Sequence, residues 1–250
     1  MPETALLPRL AVAAEQDGWR AAALALLSDW PDLLQYVSDE RSGDWRFLLP
    51  RLPKGRALCA GGALSPVPFA LARTCEAVEV VCSDAEGRFL MARARQEGYL
   101  NVTPVSPDAV RGGSYHVVAA LRSPFKIGNW QSSGLTRLAE AVRAAGFLYL
   151  EVDRPALFTL PRSIRARLRP LGFSPVKCWW PKPTFRHCEM LLPLGDRRLQ
   201  RYYLDYQFFA MSPQRRVLRA ALKLAVALDL FHLTLPEYIV LAQRSERGLL

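Results

Sequence analysis

From Ala5 to Tyr36 apolar residues recur at intervals of three and four, with breaks at Gly18 and Pro31. That period predicts two or three short helices. The stretch "DWRFLLPRLPKG", residues 44–55, is a proline-broken link out of this segment. The pattern then changes to short apolar runs alternating with amphipathic ones. "RALCAG" reads as a strand and "PVPFALARTC" as a helix. "AVEVVCS" is a strand, and "EGRFLMARARQEG" a helix with Arg88, Ala92 and Arg95 on its outer face. "NVTPVS" and "SYHVVAAL" are strands. "GLTRLAEAVRAAG" is an amphipathic helix stopped by Gly146, and "FLYLEVD" the strand after it. Strands alternating with helices imply βαβ units, and apolar β-branched strands imply a parallel sheet covered on both faces.

The last third departs from this rhythm. "SIRARLRPLGF" is a helix and "SPVKCWWPKPTFRHCEMLLPLG" is strand-like with proline interruptions. Residues 197–233 are helical, and "PEYIVLAQR" reads as a closing strand. The pattern predicts an α/β chain with a Rossmann-like, doubly wound, mostly parallel sheet. It divides into an N-terminal helical segment (1–50), a cofactor-binding core (51–175) and a substrate-side segment (176–250). The last of these carries a helical insert before the final strand.

At 250 residues the chain is long enough for a sizeable core. No uninterrupted apolar run is long enough to span a bilayer, and the N-terminus lacks the basic start of a signal peptide, so the expected location is cytoplasmic. Five cysteines show no CxxC and no zinc spacing; they read as buried small hydrophobes. His116, His187 and His232 are too dispersed to predict a metal site. The formal net charge is +10, and arginine thickens between Pro161 and Ala220. Such a surface attracts nucleic acid, anionic lipid heads or a phosphorylated small molecule, although arginine-rich coding raises the same number with no function attached.

The stretch "RALCAGGALSPVPFALA", residues 56–72, carries the functional question. A turn of small residues between strand and helix offers free N–H groups and lets a nucleoside approach the backbone, through Gly61, Gly62, Ala63 and Ser65. A nucleoside site also wants an acid just after the second strand for the ribose hydroxyls. Asp84 stands there, with Glu86 as substitute, and Asp84 would serve equally as a helix N-cap. After the third strand Asp108 is placed to meet an adenine amino group, or is an ordinary turn aspartate.

In order and spacing these segments resemble class I S-adenosylmethionine-dependent methyltransferases, as a divergent member. The resemblance runs from about Trp45 to Phe173 and resumes at the last strand. It rests on "ALCAGGALSPVPFALA", "VEVVCSDAEGRFLMARARQEGYLNV", "VSPDAV", "SYHVVAAL", "RLAEAVRAAGFLYLEVD" and "RARLRPLGF". It implies S-adenosyl-L-methionine as cofactor and methyl transfer to a hydroxyl or amine of a small molecule or saccharide in a biosynthetic pathway. The sequence departs from the family at Cys59, where an acid is usual, at Ala63 and Ser65 in the glycine turn, and at Tyr115-His116, where an aromatic is followed by Asp.

Methyl transfer needs in-line placement more than any fixed triad, and a base helps where the nucleophile is a hydroxyl or amine. His116 and Arg122 are the catalytic candidates. Lys126, Trp130, Trp180, Arg186 and His187 are the substrate-side candidates, bases and aromatics that could grip an anionic, ring-bearing or sugar-like acceptor. Arg122, Lys126 and Trp130 also read as solvated loop charge and a core Trp, His116 as a packed strand residue, and Trp180, Arg186 and His187 as part of a strand packed under a cap. "YYLDYQFFA", including Phe208 and Phe209, reads as a core stripe or a substrate box. "RRVLRAALKLAVALDLFHL" reads as a cap helix against the sheet, or as one resting on an anionic membrane or a partner. The drifted turn admits a second function, a non-catalytic partner or scaffold subunit, with a homodimer or a partner enzyme. RNA binding or modification is a third, disfavoured by the lack of a compact recognition motif.

Overall fold

A computed structural model describes residues 3–121, 134–153, 161–182, 188–207 and 213–246. The N-terminal segment folds as α1 (Glu3–Asp17), α2 (Trp19–Leu27) and α3 (Pro31–Ser38), followed by a 3₁₀ stretch, Glu40–Leu48. The core then alternates β1 (Arg56–Ala60), α4 (Val67–Ala72), β2 (Ala77–Val81), α5 (Asp84–Glu97), β3 (Val102–Val105), β4 (Tyr115–Ala120), α6 (Gly134–Ala141), β5 (Val142–Asp153) and α7 (Pro161–Leu168). The C-terminal part is β6 (Phe173–Lys182), β7 (Met190–Pro193), α8 (Arg197–Gln207), α9 (Pro213–Ala227) and β8 (Glu237–Arg244).

One sheet of eight strands runs in the order β3-β2-β1-β4-β5-β8-β6-β7. The first five strands are parallel; β8 inserts antiparallel to β5 and to β6, and β7 closes the edge antiparallel to β6. The sheet therefore draws strands from both the 51–175 and 176–250 segments. Alternate residues of each strand feed opposite faces, as the two-residue period requires. Cys59, Val80, Ala119, Tyr149 and Ile239 join Trp45, Phe69 and Leu71 on one face, whereas Leu58, Val118, Leu150 and Val240 meet Leu135, Ile164 and Leu168 on the other.

Two local expectations are corrected. The helix expected to run to Gly146 ends at Ala141, and β5 starts at Val142. Gly146 sits inside the strand, where a β-carbon would meet Val142 Cγ1 at 2.8 Å and the His116 carbonyl at 3.0 Å. Close backbone approach, not a helix stop, explains that glycine. The outer face expected for α5 is partly covered. Ala92 is buried in a cluster with α1 and α2, and Gln96 accepts from Trp19 N at 2.8 Å and donates to the Ala14 carbonyl at 2.9 Å.

The join between the N-terminal helices and the core is held by Arg93 of α5. Its guanidinium is buried, 3.9 Å from the Trp19 ring centre and 4.5 Å from that of Phe69. Nη1 donates to the carbonyls of Val37 at 2.8 Å and Leu64 at 3.4 Å, and Nε pairs with Glu97 at 3.0 Å. A charge this buried is tolerable only when so fully partnered. One of those partners, Leu64, lies in the glycine turn itself.

Candidate active site

Open α/β sheets bind ligands outside the carboxyl ends of their strands, at the point where strand order reverses. Here that point lies between β1 and β4, and the glycine turn stands on it. Gly61 and Gly62 both have positive φ, 83° and 74°. The Gly61 N–H donates to the Val81 carbonyl at 3.1 Å, and Leu121 N–H donates to the Ala60 carbonyl at 3.0 Å, so the ladder continues past the strand ends. A β-carbon at 61 would stand 2.9 Å from the Leu121 carbonyl oxygen. The end of β4 thus supplies the close neighbour that makes glycine necessary in this turn.

Past the glycines the turn is packed. Ala63, Leu64 and Ser65 are buried, and Leu64 points into the cluster formed by the N-terminal helices. The Ser65 hydroxyl accepts from Val67 N at 3.3 Å, a local bond that opens the short helix α4. What keeps solvent contact is a strip across the strand ends: Ala60 and Gly61 after β1, Val81, Cys82 and Ser83 after β2, and Val105 and Ser106 after β3. A cavity of about 630 Å³ adjoins this strip, lined among others by Cys82, Ser83, Asp84, Arg88, Ser106 and Pro107. Burial, with Glu86 and Asp84 nearby, pushes the Cys82 thiol up to about 12, so thiolate chemistry is closed to it at neutral pH.

The acids expected beside the turn are now placed. Ser83, not Asp84, caps α5: Glu86 N donates to Ser83 Oγ at 3.4 Å, and Ser83 N donates to Glu86 Oε2 at 2.9 Å. This reciprocal capping box consumes Glu86. Asp84 is the first residue of the helix, exposed on the cavity wall. Asp108 stands in a 3₁₀ turn with its side chain 95% exposed and pairs with Arg137 at 3.4 Å.

His116 is corrected as a catalytic candidate. It is the second residue of β4 and so lies at the amino end of the strand, away from the glycine turn at the carboxyl ends. Its ring occupies the space that a side chain at Gly55 would need, and its Nε2 is 2.6 Å from Arg143 Nη1. Burial and the Arg143 charge hold its imidazole below the ordinary range. Trp180, half-buried on β6, packs against the C-terminal cap, edge-on to Tyr203 and Phe231 at 5.7 and 5.4 Å, with Lys182 Nζ 3.7 Å from its ring centre. Arg122, Lys126, Trp130, Arg186 and His187, with Phe208 and Phe209, lie outside the described residues.

One feature near the carboxyl ends of the strands is not predicted by the sequence pattern. On the face that carries Cys59, Tyr149 and Glu151 of β5 and Glu237 of β8 are all buried. The Tyr149 hydroxyl donates to Glu151 Oε1 at 3.2 Å, and the Trp45 indole stacks on the Tyr149 ring at 3.9 Å and 12°. Burial first, then the Glu151 carboxylate and its hydrogen bond, with Cys188 and Glu237 adding less, hold the Tyr149 phenol well above its usual range. Glu151 also helps to raise the fully buried Cys59 thiol, after burial itself and Cys75. A carboxylate thus stands near the position where the first strand lacks its acid. The available signal was a glutamate two residues after Tyr149 in an otherwise apolar strand.

No family model and no curated protein matches the chain. Among solved structures it is similar to Haemonchus contortus phosphoethanolamine N-methyltransferase 2, in complex with phosphomonomethylethanolamine and S-adenosylhomocysteine. The TM-score is 0.51 at 12% identity, covering 94% of this chain and 59% of that one. The chain has the class I methyltransferase fold. It thus spans less than two thirds of that neighbour's length. The same fold relates it to the [4+2]-cyclase SpnF, with a TM-score of 0.50 at 15% identity over 84% of this chain and 81% of that one. A methyltransferase and a cyclase on one class I methyltransferase fold show that the fold leaves the reaction open.

Proposed function

We propose that the protein is an S-adenosylmethionine-dependent methyltransferase acting on a hydroxyl or amine of a small molecule or saccharide. The observation that carries this reading is the half-exposed strip Ala60–Gly61, Val81–Ser83 and Val105–Ser106, which lies across the ends of β1 to β3 in a class I methyltransferase fold. Its floor is small and apolar, and suits a nucleoside base. Asp84 is the carboxylate at its rim and takes the ribose hydroxyls in this reading, whereas Glu86 is held in its capping box.

S-adenosylmethionine, when bound, supplies the electrophilic methyl group. The chain supplies placement and proton handling. Gly61 and Gly62 keep the end of β1 close to the end of β4. Glu151, held by Tyr149, is the acid assigned to the methionine amino end that Cys59 leaves without a partner, or to the acceptor's proton.

Isothermal titration with S-adenosylhomocysteine tests the reading. Saturable binding is expected, and A60W, which fills the floor of the strip, abolishes it. D84A is expected to weaken it by more than about tenfold, since a hydrogen bond to a charged group is worth about 1.5–3 kcal/mol. Failure to bind at millimolar ligand would overturn the cofactor assignment. The second reading, a non-catalytic subunit on the same fold, draws on the packing of Leu121 over the turn and the burial of Ala63 to Ser65. Absence of binding together with co-purification of a partner enzyme would favour it.

A further inference from the structure

The C-terminal cap raises a separate question. Helices α8 and α9 bury one side each: Tyr203, Leu204 and Val226 pack with Phe231 and Leu235 against Trp180. Each helix also turns apolar side chains outward. On α9, Val217, Leu224 and Leu228 just beyond its end are 71%, 60% and 58% exposed, at the spacing i, i+7, i+11 of one helical face. On α8, Leu199, Tyr202 and Tyr206 repeat the pattern at i, i+3, i+7, and the two tyrosines are 71% and 70% exposed. A single exposed leucine needs no explanation, but apolar stripes on two adjoining helices mark an interaction surface.

The charges say what kind of surface. Between Asp196 and Leu230 seven arginines and lysines stand against three aspartates, which is +4 of the chain's formal +10. Two of those aspartates are already matched: Asp205 by Arg219 and by Lys223, and Asp229 by Arg197 at 3.9 Å. Arg198, Arg201 and Arg216 are exposed on the same two helices. Apolar stripes edged by arginine, with tyrosines whose rings are apolar and hydroxyls polar, are the composition of helices that lie in a lipid headgroup layer. No described helix is long and apolar enough to cross a membrane, so the fit is to its surface.

We propose that the α8–α9 cap docks on an anionic lipid bilayer, with Val217, Leu224 and Leu228 entering the headgroup boundary and the neighbouring arginines facing acidic lipid. The proposal does not depend on the methyltransferase reading.

Vesicle co-sedimentation of the full chain tests it, with phosphatidylcholine vesicles made with and without phosphatidylglycerol. Binding is expected to the anionic vesicles alone and to weaken as salt rises. The V217S/L224S/L228S variant, altered only at exposed positions, is expected to partition roughly tenfold or more weakly at an unchanged melting temperature. R198Q/R201Q/R216Q keeps the apolar faces and is expected to lose the preference for anionic lipid. No binding to anionic vesicles would overturn the proposal, as would equal binding by the serine variant. So would a dimer in analytical ultracentrifugation that the serine variant dissolves while vesicles are ignored, which would assign the face to a second copy.

Discussion

A β-carbon added to Gly62 would stand 2.5 Å from Cδ1 of Leu121 and 3.0 Å from its Cβ. The turn after β1 and the residue after β4 are thus in direct contact at the point where the sheet reverses order. Position 62 also has φ 74°, where a side chain is disfavoured. G62A is expected to cost about 2–4 kcal/mol, from the left-handed backbone and the overpacking together. L121A relieves the contact, so the double variant should lose about 1 kcal/mol less than the two single losses added. Urea unfolding of the four proteins measures this, and strict additivity would show that the contact is not the cause.

Arg93 makes a second sharp prediction. Its planar guanidinium stacks on Trp19 and bridges the Val37 and Leu64 carbonyls. A lysine can carry the charge but not that geometry. R93K is expected to lose about 2–4 kcal/mol, from the hydrogen bonds to a charged donor and the buried cation–π contact. Recovery of wild-type stability by R93K would mean that charge alone holds the N-terminal helices to α5.

The two described histidines predict the acid side of the stability curve. His116 and His232 are both held below the ordinary histidine range, first by burial, then for His116 by Arg143, and for His232 by Arg162 and Arg165 against Asp229. The folded chain therefore binds fewer protons than the unfolded chain just below the unfolded histidine value of about 6.5. Their contribution is complete above that value and is lost as pH falls from it through the folded values. Melting temperatures should fall from pH 7.5 to 5. R143Q, which removes one cause of the depression, should raise the His116 midpoint in an NMR titration and flatten the fall.

The capping box sets the scale for α5. S83A removes the hydroxyl that accepts from Glu86 N and leaves the first turn without its side-chain cap. A loss of about 1 kcal/mol is expected, measured by thermal or urea unfolding. D84A touches no cap and should leave stability within about 0.5 kcal/mol of wild type. That contrast separates the structural role of Ser83 from the ligand role proposed for Asp84.

How much of this was legible beforehand follows from the range of each signal. The alternation of apolar runs gave the strands and most helices, because burial of a strand or of one helical face is written into consecutive residues. The same local signal misjudged Gly146. Its reason, the approach of His116 and Val142, comes from pairing between β4 and β5 and a turn of backbone at Ala145 with φ 59°. His116 shares β4 with the residues that lead to Leu121, which meets the turn. An extended strand holds its two ends apart, and the histidine stands at the amino one.

The sequence by itself determined the α/β class, the order of its elements, the glycine turn and the basic, amphipathic character of the C-terminal helices, since each is fixed by local period, composition or backbone freedom. Only the tertiary structure decided which residues meet. It set Leu121 on the glycines, gave the α5 cap to Ser83, brought Glu151 toward Cys59 across the intervening strand β4, and left the outer faces of α8 and α9 uncovered. Those outcomes depend on strand order and on contacts between residues far apart in the chain, and no local pattern records which distant side chain will fill a given space.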